Sequence, residues 1–148
     1  MLIAIHSFLD TALKAEPPSV EALARDLDRL ALAYAETPPG DPSEDERTPP
    51  RLDYVTTRDV VRERFSDLGF YGVVFDPLRV PPEEPVIGDA VDDIADIIGD
   101  LSEVLWRYET LGIDDANWDF RFGYEIHWGR HLHELRFYLY VKRFRSAQ

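Results

Sequence analysis

The segment Glu125-Ile126-His127-Trp128-Gly129-Arg130-His131-Leu132-His133-Glu134-Leu135 holds three of the four histidines in the chain. On a helix, His127, His131 and Glu134 stand at i, i+4 and i+7 on one side, while His133 points elsewhere. Two imidazoles and a carboxylate in one row are donors for Zn²⁺ or iron. Three protein ligands with a position left open have the form of a catalytic centre. The row lacks the Glu beside its first His that a zinc-protease helix carries. Nor does the chain hold a second Glu-x-x-His helix to complete a di-iron carboxylate bundle.

A second group of oxygen donors lies upstream. From Val86 to Asp115 there are nine acids against one base, Arg107. At 100° per residue, Asp92, Asp96 and Glu103 fall opposite an Ile/Leu stripe, and Asp93 and Asp100 flank it. Carboxylates one turn apart can share a hard cation such as Mg²⁺. The plainer reading is a solvated helix face, helped at Asp89 and Asp92 by the positive end of the helix dipole. Other chemistry is poorly served. With no cysteine, thiol nucleophiles and Cys-ligated metals are excluded. No Gly-x-Ser-x-Gly elbow, Walker loop or Gly-x-Gly-x-x-Gly run is present.

The elements that must position these residues are helices. Leu2–Ala15 carries apolar residues at helical spacing and stops at Glu16-Pro17-Pro18. Ser19 is the expected N-cap of a second helix, whose stripe is Val20, Leu23, Leu27, Leu30 and Tyr34. Thr56–Asp59 approximates a capping box for a third, with Gly69 as its C′ residue. Phe70–Phe75 is a short apolar run with no evident partner strand, so an extended core-packed segment is expected. A fourth helix runs from about Asp89 to Thr110 on the stripe Val91, Ile94, Ile98, Leu101, Leu105 and Tyr108. Asp114 or Asp115 is expected to cap the last one, with a kink at Gly123 or Gly129. Trp118, Phe122, Ile126, Leu132 and Leu139 make one apolar face there, and Trp128, Leu135 and Val141 lie elsewhere. A helix apolar on several sides is central or shared with a partner.

The sequence thus predicts an all-α bundle of about five helices with two Pro-rich loops, one helical domain over residues 1–148. Its 148 residues suffice for one core. Within it, residues 37–55 form a flexible Pro/acid-rich loop, since Thr37–Pro50 has five prolines and four acids. The net charge of −13 argues against nucleic acid and anionic membrane surfaces. The absence of any ~20-residue apolar run argues against a membrane span. Without a leader-like basic segment, a cytoplasmic location is expected. The charge is uneven: residues 121–148 hold six bases and two acids. Arg121 and Arg130, beside Trp128, are therefore candidates for buried ion pairs with Asp93 or Asp96 as a structural or interaction cluster.

Phe75-Asp76-Pro77, Asp93-Ile94-Ala95-Asp96-Ile97, Trp118–Phe122 and His127-Trp128-Gly129 occur in an order that resembles the bacterial domain-of-unknown-function family number 5063. The resemblance covers most of the chain and is best from about Val86 to Phe137. It implies an all-helical fold and no assigned activity; His127 and His131 are not fixed parts of its pattern. The residues together read as a non-enzymatic helical domain without cofactor that binds a protein partner or self-associates. The alternative is a metal-dependent hydrolase of nucleotides or phosphoesters, using Asp92, Asp93 and Asp96 or the His127/His131/Glu134 row.

Overall fold

The computed structural model describes residues 1–145. Its helices are α1 (Leu2–Leu13), α2 (Val20–Glu36), α3 (Tyr54–Arg64), α4 (Ala90–Leu111), α5 (Ile113–Gly123) and α6 (Gly129–Arg145). One π-helical turn, Tyr124–Trp128, joins α5 to α6, so the three make one long interrupted helix. A mostly helical bundle is what the periodicities predicted. Ser19 caps α2 as expected, its hydroxyl accepting from the Ala22 N–H at 3.1 Å.

The core is the sum of the amphipathic stripes. Ile5 and Phe8 from α1, Leu23, Leu27 and Leu30 from α2, and Ile94, Ile97, Ile98 and Leu101 from α4 are buried together. Each such side chain contributes roughly 1.5–3 kcal/mol on leaving water. Polar ties then fix the helices to one another. The buried Asp26 carboxylate of α2 accepts from Ser7 Oγ at 2.8 Å and Thr11 Oγ1 at 2.5 Å, both on α1. Arg64 of α3 donates to the carbonyls of Ala12 and Ala15, satisfying acceptors that the end of α1 leaves unpaired.

Four details differ from the sequence expectations. Phe70–Val73 is a strand, β1, and pairs antiparallel with β2, Val86–Asp89, in the register Phe70↔Asp89. The partner was hidden because twelve residues with four prolines separate the strands, and Val-Ile-Gly-Asp reads as a helix lead-in. Gly88 is required by this pairing, since a Cβ there would lie 2.8 Å from the Tyr71 ring. Helix α3 starts two residues earlier than Thr56, because Asp53 accepts from the Thr56 N–H and caps it. It ends at Arg64, so Gly69 is not its C′ residue. Helix α5 is entered through Gly112, whose φ of 101° turns the chain two residues before the aspartates. Asp114 and Asp115 consequently lie in its first turn and do not cap it.

The acid-rich loop lies against the bundle. The Ser43 N–H donates to buried Asp115 at 2.8 Å, and Arg47 reaches the Thr110 carbonyl at 3.4 Å. A Cβ on Gly40 would fall 1.9 Å from the Asp114 carbonyl oxygen, so this loop approaches α5 at backbone distance. No helix among the described residues is long and apolar enough to cross a membrane.

Candidate metal centre

Helix α4 presents Asp93, Asp96 and Asp100 at i, i+3 and i+7, one face over two turns. The π-turn and the start of α6 present His127 and His131 across from them. The two rows interlock by a repeated contact. His131 Nδ1 meets Asp93 Oδ1 at 2.7 Å, and His127 Nδ1 meets Asp100 Oδ2 at 2.6 Å. An ionised carboxylate only accepts, so each imidazole donates its Nδ1–H, and in the neutral ring it is Nε2 that offers the lone pair. The two Nε2 atoms lie 3.3 Å apart, and Asp96 Oδ2 is 3.5 Å from that of His131. One donor atom from each of Asp96, His127 and His131 lies within 4.8 Å of the others.

The two separations at His131 Nε2, 3.3 and 3.5 Å, match a coordination shell. Ligands about 2.1 Å from a tetrahedral ion are roughly 3.4 Å from one another. Metal-bound histidines typically donate their other ring nitrogen to a carboxylate, which orients the ring and raises its basicity. Both histidines here have that support before any ion arrives. Asp93 is itself oriented, because Tyr71 of β1 donates its hydroxyl proton to Oδ2. The hairpin thus steadies the ring of His131 through Asp93.

Charge and burial act together at the site. Asp93 is buried, and Asp96 and Asp100 are partly so. Burial pushes the Asp96 and Asp100 carboxyls up, against the pull of the histidines. The Asp93 carboxylate on Nδ1 holds the His131 imidazole above the ordinary histidine range, and burial opposes it. Burial, then the Asp93 hydrogen bond, raises the Tyr71 phenol. Farther along α5, burial brings Asp119 up to about 7 although Arg107 Nε is 3.4 Å away.

The structure brings together only part of the residues singled out by spacing. His127 and His131 converge, but Glu134 does not join them: its carboxylate accepts from Arg130 Nε at 2.7 Å. The third donor is Asp96, from a different helix. The arginines do not reach the aspartates either. Arg121 donates to the carbonyls of Tyr34 and Thr37 and lies over the Tyr34 ring. Arg130 turns to Glu134 and to the Phe75 carbonyl and ring. The partners of Asp93 are therefore a histidine and a tyrosine. Trp128 is fully buried against Phe120 and Tyr124, and its Nε1 has no hydrogen-bond partner among the described residues. Asp100 and Tyr71 had no signal as site residues, apart from the i, i+3, i+7 spacing that puts Asp100 in line with Asp93 and Asp96.

The class defined by this fold and site is a helical bundle with a two-histidine, one-aspartate cluster between two of its helices. Residues 9–140 match the family model described as Domain of unknown function (DUF5063), and the chain belongs to that family. Among solved structures it is similar to protein BF1032 from Bacteroides fragilis. That match has 16% identity and a TM-score of 0.74 over 97% of this chain and 89% of the other. At that identity the likeness concerns the fold. No curated protein matches the chain.

Proposed function

We propose that this protein binds one divalent transition-metal ion through Asp96, His127 and His131 and uses it in hydrolytic chemistry. The observation that carries the reading is the pair of histidines whose Nδ1 atoms are each held by a carboxylate while their Nε2 atoms face each other at 3.3 Å. Two imidazoles select a transition metal over Mg²⁺. Three protein ligands leave a position for water, whose pKa a bound Zn²⁺ lowers to about 7. Without metal, a proton on His131 Nε2 fills the same gap, donating to His127 or Asp96.

Local charge supports a different substrate class from the nucleotides or phosphoesters expected from the sequence. A divalent ion with neutral imidazoles is outnumbered by the carboxylates of Asp93, Asp96 and Asp100, so the loaded centre stays anionic. Nearby Asp89 and Asp92 share one cationic partner among the described residues, Arg58. A phosphate dianion is repelled there, and a neutral ester or amide is not.

Titration of tag-free, chelator-treated protein with Zn²⁺ and Co²⁺ tests the reading. One equivalent is expected to bind and raise Tm, since ligand at 100 Kd adds about 2.7 kcal/mol to stability. His127→Gln, at a half-exposed position, should weaken binding at least tenfold. Asp93→Asn should cost roughly 10–100-fold by disturbing the orientation of His131. The loaded protein should hydrolyse p-nitrophenyl acetate faster than p-nitrophenyl phosphate. Absence of stoichiometric binding together with an unchanged Tm overturns the metal reading.

A second reading, a partner-binding or self-associating domain, is favoured by a separate feature. An apolar groove of about 780 Å³ lies between β1 and α6, with Phe75 and Phe137 exposed beside it.

A further inference from the structure

The groove carries more than its apolar character. Its lining includes Tyr71, Gly72, Val73, Val74 and Phe75, five consecutive residues. Three of them, Tyr71 to Val73, belong to β1. Side chains of a strand alternate between faces, so a groove touching consecutive residues runs along the strand's edge. Among the described residues, β2 is the only strand paired with β1, which leaves its other edge without a partner. The outward backbone groups are those of Phe70 and Gly72, because the Ala90 N–H to Gly69 carbonyl bond makes the odd-numbered residues of β1 the ones that pair with β2. Just past the strand, Arg130 of α6 donates to the Phe75 carbonyl at 2.8 Å. The face of the strand above Gly72 is open, since a Cβ built there meets nothing within 4 Å.

The opposite wall and the two ends describe what fits. Phe137 and Val141 of α6 face the strand across the groove, and Phe137 is 68% exposed. Arg130 stands at one end and Arg145 at the other. Fifteen residues of helix separate them, roughly 22 Å. An extended segment covers that distance with about seven residues at ~3.3 Å each. In a chain of net charge −13, this groove is bounded by cations at both ends. Glu134 offsets the first of them in part.

We propose that β1 and α6 form a docking groove for an extended segment of another protein, apolar in its middle and acidic at both ends, which adds to β1 as a third strand. Its backbone pairs with the free edge of β1, its inward side chains pack on Phe137 and Val141, and its terminal carboxylates meet Arg130 and Arg145. This is strand addition, in which main-chain bonds supply affinity and the side-chain row and ends supply specificity. A second copy docking groove to groove brings like charges together, which disfavours that symmetric arrangement; the occupant proposed is a different chain. The proposal rests on the partner-binding reading and is independent of the metal centre.

The probe is a fluorescently labelled seven-residue peptide, capped at both termini, with glutamate at each end and alternating valine and threonine between. Anisotropy on the full chain should show saturable binding at least tenfold tighter than for the same peptide with terminal lysines. Methylating alternate backbone nitrogens should abolish binding. Gly72→Pro removes an outward N–H of β1 at an edge strand, so binding should fall tenfold or more with Tm maintained. Phe137→Ser should act likewise, with far-UV circular dichroism confirming the fold. Equal binding of the lysine-ended peptide, indifference to N-methylation, or no binding up to millimolar protein overturns the proposal. Sedimentation velocity of the protein alone separates this from the broader reading. A dimer broken by Phe137→Ser, with no peptide binding, overturns strand addition by another protein and leaves self-association standing.

Discussion

At the scale of single residues, the site is a matter of which atom of each imidazole is committed. Asp93 and Asp100 each take a Nδ1–H, and this turns both Nε2 lone pairs toward a common point with Asp96. Asp119 shows the opposite use of burial. Its folded-state pKa of about 7 is above the ordinary 3.8, so the folded protein binds this proton more tightly than the unfolded chain does. Its stabilising effect is complete below pH ~4 and is lost as pH rises toward 7. Asp119→Asn, which stays neutral, should therefore raise Tm by a few degrees at pH 8 and leave it unchanged near pH 4. Thermal melts across that range check the sign; a lower Tm at pH 8 means that the Arg107 pair outweighs the desolvation.

At the scale of elements, the π-turn decides which residues face inward. In an unbroken helix, Trp128 would sit roughly 80° around from Phe120. The wider turn adds one residue and rotates the rest of the helix back by about 100°. Phe120 and Trp128 therefore share the core, and Leu132, Leu135 and Leu139 continue from Trp128 at helical spacing. Phe122 and Ile126, expected on that face, are 43% and 65% exposed instead. The same rotation aims His127 and His131 at α4. Gly129 permits it: its N–H bonds the Tyr124 carbonyl five residues back, and a Cβ there would lie 2.3 Å from that oxygen. Gly129→Ala should thus cost about 1–3 kcal/mol of stability. It should also weaken Zn²⁺ binding, since the turn carries one ligand and precedes the other. Chemical denaturation and metal titration of the variant test the two effects separately.

At the scale of the whole molecule, the charge is separated into an acidic body and a basic last helix. The separation is only partly neutralised inside the fold: Arg136 pairs with Asp28 and Arg130 with Glu134, while α4 is answered chiefly by histidines. With a net charge of −13, self-repulsion opposes the compact state. Raising NaCl from 10 to 300 mM shortens the screening length from about 30 Å to below 8 Å. Tm at pH 7.5 should rise by a few degrees over that range. A flat or falling Tm would show that ion pairs such as Arg107 with Asp115 dominate.

The amino-acid sequence by itself determined the helices, their order and the inward faces of all but the last, because periodicity and capping are local. Ser19 and the stripe from Val91 to Leu101 are read directly from spacing. It also placed two of the three donors, His127 and His131, since i and i+4 on one helix are neighbours wherever the helix lies. What it could not supply were contacts between elements distant in sequence. Glu134 has the right spacing, yet the arginine one turn before it claims its carboxylate, and Asp96 arrives from α4 to complete the trio. Tyr71 reaches Asp93 only because an antiparallel hairpin with a long proline-rich loop holds β1 against α4. A π-turn leaves no periodic trace, so the face of the last helix was decided by Gly129 and the Tyr124 carbonyl. The uneven charge along the chain pointed to the junction of α4 with the last helix; tertiary packing determined that histidines, and not arginines, meet the aspartates there.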